Sequence, residues 1–218
     1  MVGKWSRGID IRHHGSGNVG ASNILSVSKW WSLPVIIFDA GKGMLPVYLA
    51  RTLGLPDYQA VIIGLAAIIG HSWPVFLHFN GGRGILTAFG VVFALAPWLA
   101  VAMTILAFAG LPFGLFSLTA LFVIVLLPIL SWFASQPFRI EQSLALTLGL
   151  VALLLLAIIR RLTALRTSLT ASVTTRELII NRLLFDRDIR DRKKWLNRNE
   201  EHVSDQPKQK SLNTSKNK

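Results

Sequence analysis

The chain has 218 residues, 52% of them hydrophobic and only 16% charged, with a formal net charge of +12 and a mean hydropathy of +0.50. A soluble globular domain carries about 25% charged residues, so this composition excludes an ordinary soluble enzyme and points to an integral membrane protein. There are no cysteines, which excludes disulfides and thiolate metal sites.

Charge is unevenly placed. Residues 1–159 hold 8 Lys/Arg and 4 Asp/Glu, whereas residues 160–218 hold 15 and 7. An apolar block followed by a basic tail fits a membrane domain whose tail faces anionic lipid on the cytoplasmic side. Nucleic acid, the other usual partner of a basic chain, is not expected, because the charge flanks membrane-length segments.

The first polar stretch, RHHGSGNVGASN (Arg12 to Asn23), contains Gly15-Ser16-Gly17-Asn18-Val19-Gly20. Read literally this is the dinucleotide fingerprint G-x-G-x-x-G, with Asp39 downstream as the ribose acid. That reading requires a hydrophobic strand before it and a soluble helix after it. Here DIRHH precedes it and Asp39 lies inside a membrane-length segment. The dinucleotide reading fails. What survives is a glycine-rich loop with short polar side chains, able to form a nest for phosphate or simply to turn the chain.

A membrane helix needs about 20 mostly apolar residues. Leu33–Ala50 nearly qualifies but holds Asp39 and Lys42; Gln59–Leu77 is clean. Ile85–Trp132 is apolar almost throughout, broken at Pro97, at Gly110–Gly114 and at Pro128, and Gln142–Ile159 is stopped by Arg160-Arg161. Lys4, Arg7, Arg12 and Lys29 place the first loop in the cytoplasm with the tail, so the crossings must be even in number. Three crossings within 85–132, with breaks near Pro97 and Gly110–Gly114, bring the total to six. The expected fold is an all-α polytopic bundle of five to six spans: a membrane domain over 1–160 and a basic tail over 161–218. An amphipathic helix is expected near Arg176–Trp195, and SDQPKQKSLNTSKNK should be disordered.

Two further constellations point to phosphate at the membrane face. In GHSWPVFLHFNGGRG, Gly70 to Gly84, Arg83 is bracketed by Gly81, Gly82 and Gly84, and His71 and Asn80 flank it. A guanidinium matches phosphate bidentately, and topology alone does not explain three glycines. In FDAGKG, Asp39 and Lys42 stand at i, i+3 within a membrane segment and can pair; a buried ionisable residue there marks a functional site by default. His13 and His14, adjacent and without carboxylate ligands, read as interfacial filler, as does His78. Trp5, Trp30 and Trp31 suit an aromatic belt.

DIRHHGSGNVGASN, FDAGKG and GHSWPVFLHFNGGRG, in this order and spacing, resemble the bacterial acyl-phosphate:glycerol-3-phosphate acyltransferases of the PlsY type, over residues 8–160. The resemblance implies a membrane enzyme that uses no metal or other cofactor and no acyl carrier. Its substrates would be acyl phosphate and glycerol 3-phosphate, and its products lysophosphatidate and inorganic phosphate. Carried over residue by residue, it implies catalytic roles for Ser16, Arg83 and Lys42. Substrate binding would fall to Gly15, Gly17, Asn18, Ser22, Asn23, Asp39, His71, Asn80, Gly81, Gly82 and Gly84, the two glycine loops cradling the phosphates.

The chain departs from the family pattern in several places. Ser26 stands where the first motif has arginine, with Lys29 as the nearest substitute. Arg83 replaces the lysine of the GGKG loop. In TTRELIINRLLFDRD, Arg182 and Leu183 are retained, but Arg176 and Ile179 stand where histidine and asparagine belong. Asn181, in a shifted register, is the candidate replacement. Family members have another apolar helix before the DIR segment, so a start at Met1-Val-Gly-Lys points to a misassigned or shortened N-terminus. The alternative function is a catalytically altered relative that binds phosphorylated lipid precursors without turnover. An anion transporter ranks last, since only the Asp39/Lys42 segment offers buried polar groups.

Overall fold

The computed structural model describes Gly20, Asn23–Ile24 and residues 28–138, 144–164 and 167–195. The described residues contain helices and no strand. The main helices are α1 (Lys29–Thr52), α2 (Asp57–Ser72), α3 (Ile85–Leu95), α4 (Pro97–Ala109), α5 (Phe116–Phe133), α6 (Leu144–Leu162) and α7 (Thr175–Phe185).

Local chemistry sets the boundaries. Gly54, at φ +74, closes α1, and the Leu55 N–H reaches back to Ala50 O, a left-handed cap that glycine adopts without a Cβ penalty. Pro56 then starts α2. Ala96 leaves the helical region, with φ −147 and ψ 76, because the residue before a proline is pushed out of it. Pro97 begins α4. Thus 85–132 breaks into three helices, at Ala96–Pro97 and across Gly110–Leu115, as the sequence suggested.

α1 and α3 both run antiparallel to α2. A Cβ on Gly64 in α2 would meet Val47 of α1 and Val91 of α3, and Gly84 at the start of α3 lies against Ser72 at the end of α2. α1 and α3 are therefore parallel, and their backbones nearly touch. A Cβ on Gly43 would lie 2.1 Å from Thr87 O, and one on Gly90 2.0 Å from Ala40 O. Small residues permit such approach where no hydrophobic force drives helices together. At the far end Arg51 donates to the last carbonyls of α3, Ala94 O at 2.9 Å and Leu95 O at 3.2 Å.

Two neighbouring arginines fix the sidedness of the rest. Arg160 bonds the Gly81 and Gly82 carbonyls just before α3, and Arg161 bonds Ser117 O at the start of α5. α3 and α5 therefore begin at the same end of the bundle, and the α3–α4 pair leaves that end and returns to it. Four helical stretches are long and apolar enough to span a bilayer: Trp30–Thr52, Asp57–Leu77, Phe116–Phe133 and Leu144–Leu162. α3 and α4, about 16 and 20 Å long at 1.5 Å per residue, are shorter than the hydrocarbon core. Val47, Leu99 and Leu150 are fully buried at the centre, while Phe38, Phe122 and Phe133 face outward, as lipid-facing side chains must.

Beyond Arg160 the described residues, as far as Trp195, stay against the bundle. α7 starts with a capping box between Thr174 and Glu177 and ends at Asp186, well short of Trp195. Arg161 donates to Leu183 O, Arg182 donates to Leu162 O at 2.7 Å, and Ile189 and Trp195 are buried.

Candidate active site

The second glycine loop is built by close approach. A Cβ on Gly81 would lie 2.1 Å from His71 O, and one on Gly82 2.1 Å from His71 Nε2. The Gly81 and Gly82 amides donate to Ser72 O and His71 O, at 3.2 and 3.3 Å, satisfying the last carbonyls of α2. Their own carbonyls accept from Arg160, at 2.7 and 2.9 Å. These amides are committed to helix ends and do not form an open anion nest. What the loop presents is Arg83. Gly84, at φ +77, supplies the left-handed turn that lets α3 start immediately behind it.

Arg83 makes long contacts: Nη1 to Arg160 O at 3.5 Å and Nη2 to Asp186 O at 3.4 Å. Its ion pair is with Asp186 Oδ1 at 3.0 Å. That oxygen is buried and has no hydrogen-bond partner among the described residues, so the pair is one of charge and not of aligned donor and acceptor. Burial pushes the Asp186 carboxyl above the ordinary range, against the pull of Arg83, Arg161, Arg160 and Arg182. Asp188 behaves oppositely. Burial works against its charge, but hydrogen bonds from Arg182, Thr170 and Thr167 outweigh it and hold the carboxyl low. The Arg182–Asp188 pair, 2.8 Å apart, is structural: it fastens the end of α7 to the rest.

Arg83, Arg160, Arg161, Ser72 and Asp186 form the polar side of a pocket of about 20 Å³. Its other wall is aliphatic, from Ile68, Ile85, Ala88, Ile124, Leu153 and Leu156. Three guanidiniums against one carboxylate leave a surplus of positive charge at the mouth of an apolar cleft between α3, α5 and α6.

Asp39 and Lys42 meet as their spacing predicts, Nζ to Oδ1 at 2.5 Å. The structure adds His71, whose Nδ1 lies 3.6 Å from the same oxygen. His71 thus stands between the α1 pair and Gly82, joining it to the Arg83 loop. Asn80 spends its side chain locally, donating to His78 O at 3.0 Å, and Asn23 is buried. Gly15, Ser16, Gly17, Asn18 and Ser22 lie outside the described residues. Arg176 and Ile179 are exposed on α7, and Asn181 donates to Asp188 O at 3.1 Å and does not line the pocket. Sequence reasoning missed Arg160, Arg161 and Asp186 as site residues.

A family model described as glycerol-3-phosphate acyltransferase matches residues 1–171. Glycerol-3-phosphate acyltransferase 4 of Dehalococcoides mccartyi (strain CBDB1) is 43% identical over 203 residues, 91% of this chain and 86% of that protein. The glycerol-3-phosphate acyltransferase of Laribacter hongkongensis (strain HLHK9) is 40% identical over 148 residues, 65% of this chain and 74% of its own. The crystal structure of PlsY, an integral membrane glycerol 3-phosphate acyltransferase, in its glycerol 3-phosphate form has a TM-score of 0.64 and 29% identity. The match covers 73% of this chain and 78% of that one. The lysophosphatidic acid form of PlsY gives a TM-score of 0.58 at 28% identity, over 67% and 73% of the two chains.

Proposed function

The chain belongs to the glycerol-3-phosphate acyltransferase family, and on that premise we propose that it moves a fatty acyl group from an acyl phosphate to the 1-hydroxyl of glycerol 3-phosphate. The products are lysophosphatidate and inorganic phosphate. The observation that carries this reading is the two-sided pocket, with Arg83, Arg160 and Arg161 facing aliphatic side chains of α3, α5 and α6. An acyl phosphate combines the same two chemistries, a compact anion on an alkyl chain.

In this reading the phosphates lie on the guanidiniums, each of which offers five donors in a fixed fork, and the chain enters along Ile85, Ile124 and Leu153. Arg83 has the longest hydrogen bonds of the three, and its close contact is the ion pair with Asp186. The donor is a mixed anhydride with a good leaving group. The protein therefore has to orient the hydroxyl and stabilise the charge that develops on the carbonyl and on the departing phosphate. Lys42, held by Asp39 beside His71, carries the positive charge on the α1 side. The first glycine loop, with Ser16 and Asn18, is assigned to the second phosphate. The excess of Lys and Arg in the sequence after Arg160 supports a cytoplasmic assignment for the face that bears Arg83 and Arg160.

The test is acyl transfer by the purified protein in lipid, with palmitoyl phosphate and labelled glycerol 3-phosphate. Labelled lysophosphatidate and released phosphate are expected. Product from palmitoyl-CoA, with none from palmitoyl phosphate, would overturn the donor assignment.

A further inference from the structure

A second cluster of cations lies in the segment that follows α7. Arg187, Arg190, Arg192, Lys193 and Lys194 fall within a stretch of eight residues, and none of them lines the Arg83 pocket. The two carboxylates in that stretch are engaged elsewhere. Asp188 accepts from Arg182, Thr167 and Thr170, and Asp191 Oδ1 accepts the Lys193 and Lys194 amides at 2.8 and 3.1 Å. Among the described residues no carboxylate forms an ion pair with any of the five cations.

The guanidiniums are gathered. Arg187 and Arg190 stack on one ring, Phe185, with Cζ 5.3 and 6.0 Å from its centroid. A ring face attracts a cation, so Phe185 brings together two like charges that would otherwise separate. Burial lowers the Arg187 pKa, and the nearby Arg192 charge lowers it further against the pull of Asp191. Arg187 Nε is buried with no acceptor among the described residues, and a buried donor left unmatched is costly. Such a cluster is stabilised by an anion.

The neighbouring turn says which kind of anion. Arg192 Nη1 is 4.0 Å from the position a Cβ would take on Gly114, between α4 and α5. That turn exposes Leu111, Phe113 and Leu115, with Phe113 at 77%. It lies at the end of the bundle where Arg161 bonds Ser117 O, so apolar side chains and guanidiniums meet at one membrane face. A soluble phosphate would use the cations alone. A lipid uses both, its phosphate on arginine and its acyl chains on the exposed apolar groups.

We propose that Arg187, Arg190 and Arg192, with the Leu111–Leu115 turn beside Arg192, bind the headgroup of an anionic phospholipid of the surrounding bilayer. This goes beyond acyl transfer and does not depend on it: the ligand is a resident lipid, not a substrate, and the site is separate from the Arg83 pocket. A zwitterionic headgroup carries an ammonium beside its phosphate, which five neighbouring cations repel. The site therefore selects lipids of net negative charge.

The experiment is native mass spectrometry of the purified full chain, titrated in detergent with dioleoyl phosphatidylglycerol or dioleoyl phosphatidylcholine. Phosphatidylglycerol should be retained in preference. Arg190→Gln and Arg192→Gln, each at an exposed residue, should each lower that preference about fivefold without shifting the thermal melt. Arg176→Gln makes the same charge change at the exposed start of α7, and should leave the preference within about twofold of the parent. Phe113→Gln should weaken phosphatidylglycerol binding, and inorganic phosphate at equal concentration should not displace the lipid. If the parent retains both lipids equally, or Arg176→Gln matches Arg192→Gln, the cluster is diffuse surface charge and the proposal is overturned. If inorganic phosphate displaces the lipid, or Phe113→Gln has no effect, the cluster binds phosphate without regard to the lipid and the proposal is overturned as well.

Discussion

Arg160 holds both carbonyls of the Gly81–Gly82 pair, Nη2 to Gly81 at 2.7 Å and Nε to Gly82 at 2.9 Å. The end of α6 thereby fixes a loop 78 residues earlier, and Arg83 stands on that loop. The same guanidinium contributes charge to the pocket, so scaffold and site share one side chain. Arg160→Ala removes two charge-assisted hydrogen bonds worth about 1.5–3 kcal/mol each and frees the loop. The expected result is a clear fall in melting temperature in detergent, together with at least about a tenfold loss of kcat/KM. Arg160→Lys keeps the charge but cannot make the fork, and should recover stability only in part. A lysine variant indistinguishable from the parent in both measurements would rule out the bidentate role.

The glycines of FDAGKG separate by geometry. A Cβ on Gly43 would sit 2.1 Å from the Thr87 carbonyl oxygen, a backbone atom that cannot move aside, whereas one on Gly41 meets nothing within 4 Å. Gly41→Ala should be neutral or stabilise α1 by up to about 1 kcal/mol, the ordinary gain in a helix interior. Gly43→Ala should push α1 from α3 and disturb Asp39 and Lys42 with it. Thermal melts of the two variants decide the matter. Equal melting temperatures would mean that the α1–α3 contact is looser than described.

The breaks at Pro97 and Gly110–Gly114 were legible because proline and glycine act locally, through missing donors and permitted dihedrals. Arg83 and the Asp39/Lys42 pair were legible for a related reason: glycine brackets and buried charge are anomalous wherever they occur. Arg160 and Arg161 were not. A basic pair after an apolar span looks the same whether it anchors the helix in the headgroups or turns inward to bond Gly81, Gly82 and Ser117. Asp186 was invisible because its partner Arg83 is 103 residues away and nothing within RLLFDRD marks one aspartate as facing a pocket. Asn181, picked to replace the missing motif residues, instead serves α7 by bonding Asp188 O.

Arg83→Lys tests what the guanidinium adds at a loop where the resemblance places lysine. Lysine keeps the charge but loses the second nitrogen that now reaches Asp186 O at 3.4 Å. We expect the lysine variant to retain most turnover, within about tenfold of the parent. Arg83→Ala, which removes a guanidinium from the pocket wall, should lose about 10²–10³-fold in kcat/KM. Melting temperature should change little for the lysine variant, which keeps a cation beside Asp186, and should fall for the alanine variant, which takes the ion-pair partner from a buried carboxylate. Full activity in the alanine variant would remove Arg83 from the site and leave it as a marker of topology.

The docking of α7 should depend on pH through Asp188. Its folded pKa lies below the ordinary 3.8, because bonds from Arg182, Thr170 and Thr167 outweigh burial. A lowered folded pKa contributes stability that is fully present above the unfolded value and is lost as pH falls through the folded one. Asp186 shifts the other way, so acidification relieves it, and the two effects oppose each other in the parent. Asp188→Asn isolates the first. It leaves Arg182 bonded to Leu162 O but without its buried counter-charge, a loss of about 3–5 kcal/mol. Hydrogen exchange over Thr175–Phe185 is the measurement. The parent should be protected at neutral pH and lose protection below about 3.8, while the variant should exchange quickly at neutral pH with no corresponding acid transition. Matching profiles would mean that the Arg182–Asp188 pair adds nothing to the docking of α7.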